Sequence, residues 1–191
     1  MSDGDFLDDR RRASEDDYFR KKDRELIEKM RAAGAADQAR SALSATTGLR
    51  DPELLKELDA LGFTPDTISV LPLVPIVQMA WAEGGITPAE RTLLVSLARK
   101  RGIAEGSPAD HLLTDWMARQ PSASVFERAT RLIRAMLDTA SPAGTTFSAD
   151  ELIKYSEDIA AASGGILGIG KISAEERATL AQIVSALKSR P

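Results

Sequence analysis

The chain has 191 residues, no cysteine, 43% apolar and 28% charged residues, and a formal net charge of -4. That length suits one domain with room for an extension, while the missing thiols exclude disulfides, thiolate zinc sites and a cysteine nucleophile. An acidic balance argues against a general nucleic-acid binder, which carries a basic excess.

The first residues, Met1-Ser2-Asp3-Gly4-Asp5, are acidic where a secretory signal would be basic, and no apolar stretch follows. The longest apolar run, Val70 to Val77, carries Pro72 and Pro75 and is far shorter than the roughly 20 residues a bilayer span needs. These features predict a soluble, cytoplasmic protein without a transmembrane segment.

Residues 1–50 read as a charged helical extension. Between Asp8 and Arg31 charges of both signs crowd together, and the sparse apolar residues Tyr18, Phe19, Leu26, Ile27 and Met30 fall in one narrow helical stripe. Ser14 and Asp17 have the spacing of a capping-box start. Gly34 predicts an interruption, Ala35 to Thr46 a second helical stretch, and Gly48-Leu49 a stop. So polar a helix buries little by itself, so Phe19, Leu26, Ile27 and Met30 are the expected partner-binding residues, docking on a protein partner or on this domain.

From Asp51 onward the helical signals are strong. Leu54, Leu55, Leu58 and Leu61 share a face of a helix from Pro52, closed by Gly62-Phe63 as Gly102-Ile103 closes a later one. Leu73 to Ala82 is apolar all round and predicts a central buried helix. Pro88 to Arg101 turns Leu93, Leu94, Leu97 and Ala98 inward. Ser107-Pro108 opens another helix, and Phe126, Ala129, Ile133, Met136 and Leu137 mark one from about Ser122 to Ala140. Leu152, Ile159, Ala160 and Ser163 mark the next, and Leu180, Ile183, Val184 and Leu187 the last. No sustained period-two run of β-branched residues occurs. The expected fold is all-α, with about seven helices after residue 50 in one domain spanning 51–191.

One pattern occurs twice. The first copy reads Ala82-Glu83-Gly84-Gly85-Ile86-Thr87-Pro88-Ala89-Glu90-Arg91. The second reads Ala162-Ser163-Gly164-Gly165-Ile166 and resumes, after a glycine-rich insert, as Ile172-Ser173-Ala174-Glu175-Glu176-Arg177. Such self-similarity predicts two related helix-turn-helix units in one domain, related by a pseudo-two-fold.

With its flank from Ile76, the first copy resembles the TerB-like (tellurite-resistance-associated) family. That family's pattern is a helix ending in an acidic residue and glycine, then an apolar residue, then a glutamate early in the next helix. Glu83 matches the first acidic position and Glu90 the second. The resemblance covers roughly residues 52–188. It implies a compact all-helical domain with internal pseudo-symmetry and no enzymatic activity, in some members with acidic residues clustered for a divalent metal. The chain departs from the pattern at Ser163, which replaces the first acidic residue in the second copy, and in the insert Leu167 to Lys171.

Two readings of the acidic turns stay open. In one, Glu83, Glu90 and Glu176, beside Glu175, gather as oxygen ligands for calcium or magnesium; no other cofactor is expected. In the other, Thr87-Pro88-Ala89-Glu90 and Ser173-Ala174-Glu175-Glu176 are capping boxes, each glutamate reaching back to its own helix start, and Ser148-Ala149-Asp150-Glu151 is a third. Gly165 to Ile172 approximates a phosphate loop but lacks the following hydroxyl and the preceding strand, so it reads as a mobile apolar hairpin between helices. His111 stands alone, without the further ligands a transition metal draws on. Trp81 and Trp116 sit on apolar helix faces and read as core. Function is therefore expected to be that of a non-enzymatic interaction or regulatory module in stress response, with a divalent-metal sensor or buffer as the alternative. A carboxylate enzyme ranks below both, because neither a nucleophile nor a cofactor motif accompanies the glutamates.

Overall fold

Most helix termini of the second unit are written by local chemistry, and the structure, a computed structural model, realises them with the caps and glycine stops the sequence carries. It describes residues 3–139, 147–163 and 172–188, with backbone only at 3–17, 139 and 163. Those residues form α1 (Asp3–Thr47), α2 (Pro52–Ala60), a 3-10 helix (Ile68–Leu73), α3 (Val74–Ala80), α4 (Pro88–Lys100), α5 (Pro108–Ala118), α6 (Ala123–Thr139), α7 (Ala149–Ser163) and α8 (Ala174–Lys188). No strand occurs among them, so the fold is all-α.

Side-chain oxygens open the helices. Asp51, Thr87, Ser107, Ser148 and Ser173 accept from amides two or three residues ahead, satisfying donors that have no partner inside the helix. Glycine closes them. Gly62 and Gly102 both take φ +81, and the amides of Phe63 and Ile103 reach back to Leu58 and Ala98 at 3.0 Å. An L side chain at those glycines would strain the backbone.

The chain divides into two compact units, Met1–Ser41 and Ala42–Pro191. The division lies ahead of the boundary expected at residue 50, because Leu43 and Leu49 are buried in the core cluster of the second unit. Two expectations for the first 50 residues are corrected. Gly34 does not interrupt α1, which runs on through Thr47; a helical glycine costs about 1 kcal/mol relative to alanine but keeps its N–H, unlike proline. Ser14 lies inside that helix rather than at its start. The stop at Gly48 does form, with φ +75. There Thr47 Oγ1 donates to the Leu43 carbonyl and accepts from the Leu49 amide.

The second unit is built around α3. Val74, Pro75, Ile76, Val77, Met79 and Ala80 are buried, and this short helix touches α4, α6, α7, α8 and the 3-10 helix. The apolar run from Val70 is thus central, but it is split: Pro72 lies inside a 3-10 turn that leads into α3. Pro75, in the first turn of α3, has no amide to lose there.

The two helix pairs that carry the repeat, α3–α4 and α7–α8, share this core. The contact of α3 with α8 has its counterpart in that of α4 with α7, and α3 touches α7 directly. Exchange of the two pairs requires this pattern. The end of the first pattern's partner turn, Gly164 to Lys171, lies outside the described residues, as do the apolar hairpin and phosphate-loop-like segment read there.

Candidate functional site

The first acidic turn follows α3. Trp81 caps that helix, its amide reaching Val77 O at 3.2 Å, and Gly84 adopts φ +82 so that the chain can reverse toward α4. Glu83 stands exposed between them. The turn is tied to α5 from two sides: Trp81 Nε1 donates to the Trp116 carbonyl at 2.9 Å and Arg91 to the Met117 carbonyl at 3.0 Å. Both carbonyls belong to the last turn of α5, where helix acceptors lack internal partners. Trp116 in turn meets Phe63 edge to face at 5.9 Å. Both tryptophans are therefore packing residues. Arg91, which positions this turn, has no distinguishing signal in the sequence beyond its place in the repeat.

Thr87 opens α4 in a reciprocal box. The Glu90 amide donates to Thr87 Oγ1 at 3.3 Å, while the Thr87 amide and hydroxyl both donate to Glu90 Oε2 at 2.7 Å. At the start of α8 the same arrangement recurs. The Ser173 amide donates to Glu176 Oε2 at 2.7 Å and the Glu176 amide to Ser173 Oγ at 3.1 Å. The two carboxylates are nearly inaccessible, Glu90 at 3% and Glu176 at 2% relative exposure. The capping reading of both glutamates is thus realised in the geometry. Ser148 holds the Glu151 amide at 3.1 Å, but Glu151 accepts from the Tyr155 hydroxyl.

Of the three expected ligands, Glu90 feels the charges of the other two. Burial pushes the Glu90 carboxyl above the usual carboxylate range; the Thr87 hydrogen bonds oppose this, and the charges of Glu176 and Glu83 add to it. Glu90 therefore senses the capping carboxylate of the other half of the repeat. Among the described residues, however, no group of three or more histidine, aspartate and glutamate side chains is placed to hold a metal ion. Glu83 is exposed while Glu90 is buried, and both buried glutamates spend Oε2 on their own helix starts. Glu175 is exposed.

Elsewhere the unit holds features without a site. A surface groove of about 380 Å³ runs along Glu53, Leu54, Lys56, Glu57, Ala60 and Arg128. Burial would raise the Glu57 carboxyl there, but hydrogen bonds from Arg128 and Arg131 outweigh it and hold the group below its ordinary range. Arg101 turns Nε and Nη2 inward without an acceptor among the described residues, its guanidinium 5.6 Å from the Phe147 ring, which offers a π face in place of an acceptor. His111 is exposed.

The first unit contrasts with all of this. Tyr18, Phe19, Leu26, Ile27 and Met30 are 58%, 62%, 57%, 47% and 67% exposed, and they are the exposed large hydrophobic residues among those described. Lys22 pairs with Glu25 at 3.6 Å and lies 5.7 Å from the Tyr18 ring, contacts local to the helix.

No protein-family model, curated protein or solved structure matches the chain. No helix among the described residues is long and apolar enough to cross a membrane.

Proposed function

We propose that the protein is a non-enzymatic interaction module of the TerB-like kind, acting in the cytoplasm, in which a helical core carries no covalent chemistry and α1 takes a protein partner. One observation carries the reading: among the described residues, the exposed large hydrophobic side chains gather on α1, Phe19, Leu26 and Met30 among them. Scattered single apolar residues are normal on a surface, but a concentration on one element marks an interaction site. The flanking charges of both signs would give orientation to the encounter and make it salt-sensitive. A regulatory role in stress response rests on the family resemblance alone.

The test is association of the full chain carrying Phe19→Ser, Leu26→Ser, Ile27→Ser and Met30→Ser with proteins of its own cell. Loss of capture at unchanged helix content and melting temperature supports the reading; unchanged capture overturns it.

A second reading, a divalent-metal sensor, draws support from the influence of Glu176 and Glu83 on the buried Glu90. A ligand that binds only the native state raises its melting temperature. In the same melting experiment, a rise with calcium or magnesium that Glu83→Gln with Glu90→Gln abolishes would favour it over the first.

A further inference from the structure

Residues 18–31 of α1 carry six basic and three acidic side chains, and their places around the helix follow a pattern. At about 100° per residue, Phe19, Leu26 and Met30 share one line of the helix, with Ile27 to one side and Tyr18 to the other. All five side chains are exposed, and the arc they define covers about half of the circumference. Arg20, Arg31 and Arg24 follow one another along the edge beyond Ile27. Lys22 and Lys29 occupy the edge beside Tyr18, with Lys22 Nζ 5.7 Å from the Tyr18 ring. Glu25 lies further round, 3.6 Å from Lys22, and Glu28 points directly away from the Phe19 line. Over the whole of α1 no apolar face dominates, so the pattern belongs to this stretch of about four turns.

Cations on both edges of an apolar arc decide the chemistry of what can cover it. The same stretch of a second copy would set basic edge against basic edge in either direction, which is repulsive. A bilayer with anionic headgroups presents negative charge on both sides of the stripe at once. Lysine and arginine at the edges can lay their stems along the apolar boundary and keep their charges among the headgroups. Asp23 is the one acid on the arc, and it separates a bilayer from a protein groove. An apolar groove would strip its water without a compensating bond. Interfacial helices sink only about 5–10 Å, to a depth where the carboxylate stays hydrated.

We infer that residues 18–31 of α1 lie flat on an anionic bilayer surface, with the Phe19, Leu26 and Met30 line turned into the headgroup boundary and the arginine and lysine edges on the headgroups. The inference goes beyond the interaction-module reading. It uses the same face, so a protein partner and the bilayer exclude each other there. Residues 3–17 carry seven acidic and three basic side chains by sequence. Their charge opposes the contact, which confines it to the basic stretch.

Flotation of the full chain with vesicles tests it. Phosphatidylglycerol vesicles should bind the chain, phosphatidylcholine vesicles should not, and added salt should release it. Arg20→Gln with Arg24→Gln and Arg31→Gln should weaken binding by about tenfold or more. The serine variant at Phe19, Leu26, Ile27 and Met30 should lose binding at unchanged melting temperature. Because the chain lacks cysteine, the face that enters the boundary can be read directly. An environment-sensitive dye attached through Leu26→Cys should shift to the blue on phosphatidylglycerol vesicles. The same dye attached through Glu28→Cys, on the opposite side, should not. Failure to bind phosphatidylglycerol vesicles overturns the inference, as does an equal shift of the two dyes. Binding that the serine variant retains is charge attraction alone and overturns it too. If no vesicle is bound and the serine variant still loses a protein partner, this inference fails and the interaction-module reading stands. Vesicle binding lost in that variant while its protein capture is unchanged supports this inference and overturns that reading.

Discussion

The two units of this chain are both helical, yet they use their side chains in opposite ways. In Met1–Ser41 the described large apolar side chains, Phe19 and Met30 foremost, are exposed. In Ala42–Pro191 even two carboxylates, Glu90 and Glu176, are buried, each with its backbone partners arranged around it. Backbone hydrogen bonds are equally available to both units, so they do not make the difference. What separates them is the density of apolar residues: enough in the second unit to enclose α3 on several sides, too few in the first to cover one face. A polar helix of this kind draws its stability from whatever covers it.

The sharpest way to break that contrast is a pair of truncations. Leu132 is fully buried, and Leu132→Ala should cost about 2–5 kcal/mol through lost burial and the cavity left behind. Leu26→Ala, on α1, should change the unfolding free energy by less than about 0.5 kcal/mol. Comparable losses in denaturant unfolding would show that α1 is as much part of the cooperative core as α6.

A smaller effect probes the helix starts that organise the second unit. Thr87→Ala and Ser173→Ala should each destabilise by about 1 kcal/mol, the usual loss for a hydroxyl cap. Equal values would sharpen the likeness of the two halves of the repeat. If both substitutions are neutral, capping does not explain the burial of Glu90 and Glu176.

The smallest expected effect concerns charge. The Glu90 carboxyl is raised above 4.5 by burial and by Glu176 and Glu83. A group whose folded pKa is raised binds more protons in the native state. Its contribution is then fully present below pH 4.5 and is lost as pH rises through the folded value. Glu90→Gln keeps a side chain that can reach the Thr87 amide but cannot ionise. Between pH 4.5 and 7 the wild type should therefore lose stability relative to Glu90→Gln. Melting curves in which the difference stays constant, or runs the other way, would show that Glu90 does not sense its acidic neighbours as described.

The repeat motif was legible because its signals are local. Thr87 and Ser173 each precede a glutamate by three residues, and that spacing alone brings hydroxyl, amide and carboxylate together in one helical turn. The closures at Gly62 and Gly102 are legible for the same reason, since a positive φ is a property of a single residue. Gly34 misled because a glycine weakens a helix without removing a hydrogen bond, so composition alone cannot say whether the chain continues.

By itself, then, the sequence determined the all-α class, the capped helix starts and the glycine stops at Gly62 and Gly102, and the central place of the apolar segment around Ile76. All are set by side chains within a turn or two of the feature they control. Only the tertiary structure decided that Leu43 and Leu49 belong to the core, that Trp81 and Arg91 anchor the first acidic turn to the end of α5, and that Glu90 lies within the field of Glu176. Those contacts join residues far apart along the chain. Their strength depends on distance and on the exclusion of water, neither of which exists until the helices have packed.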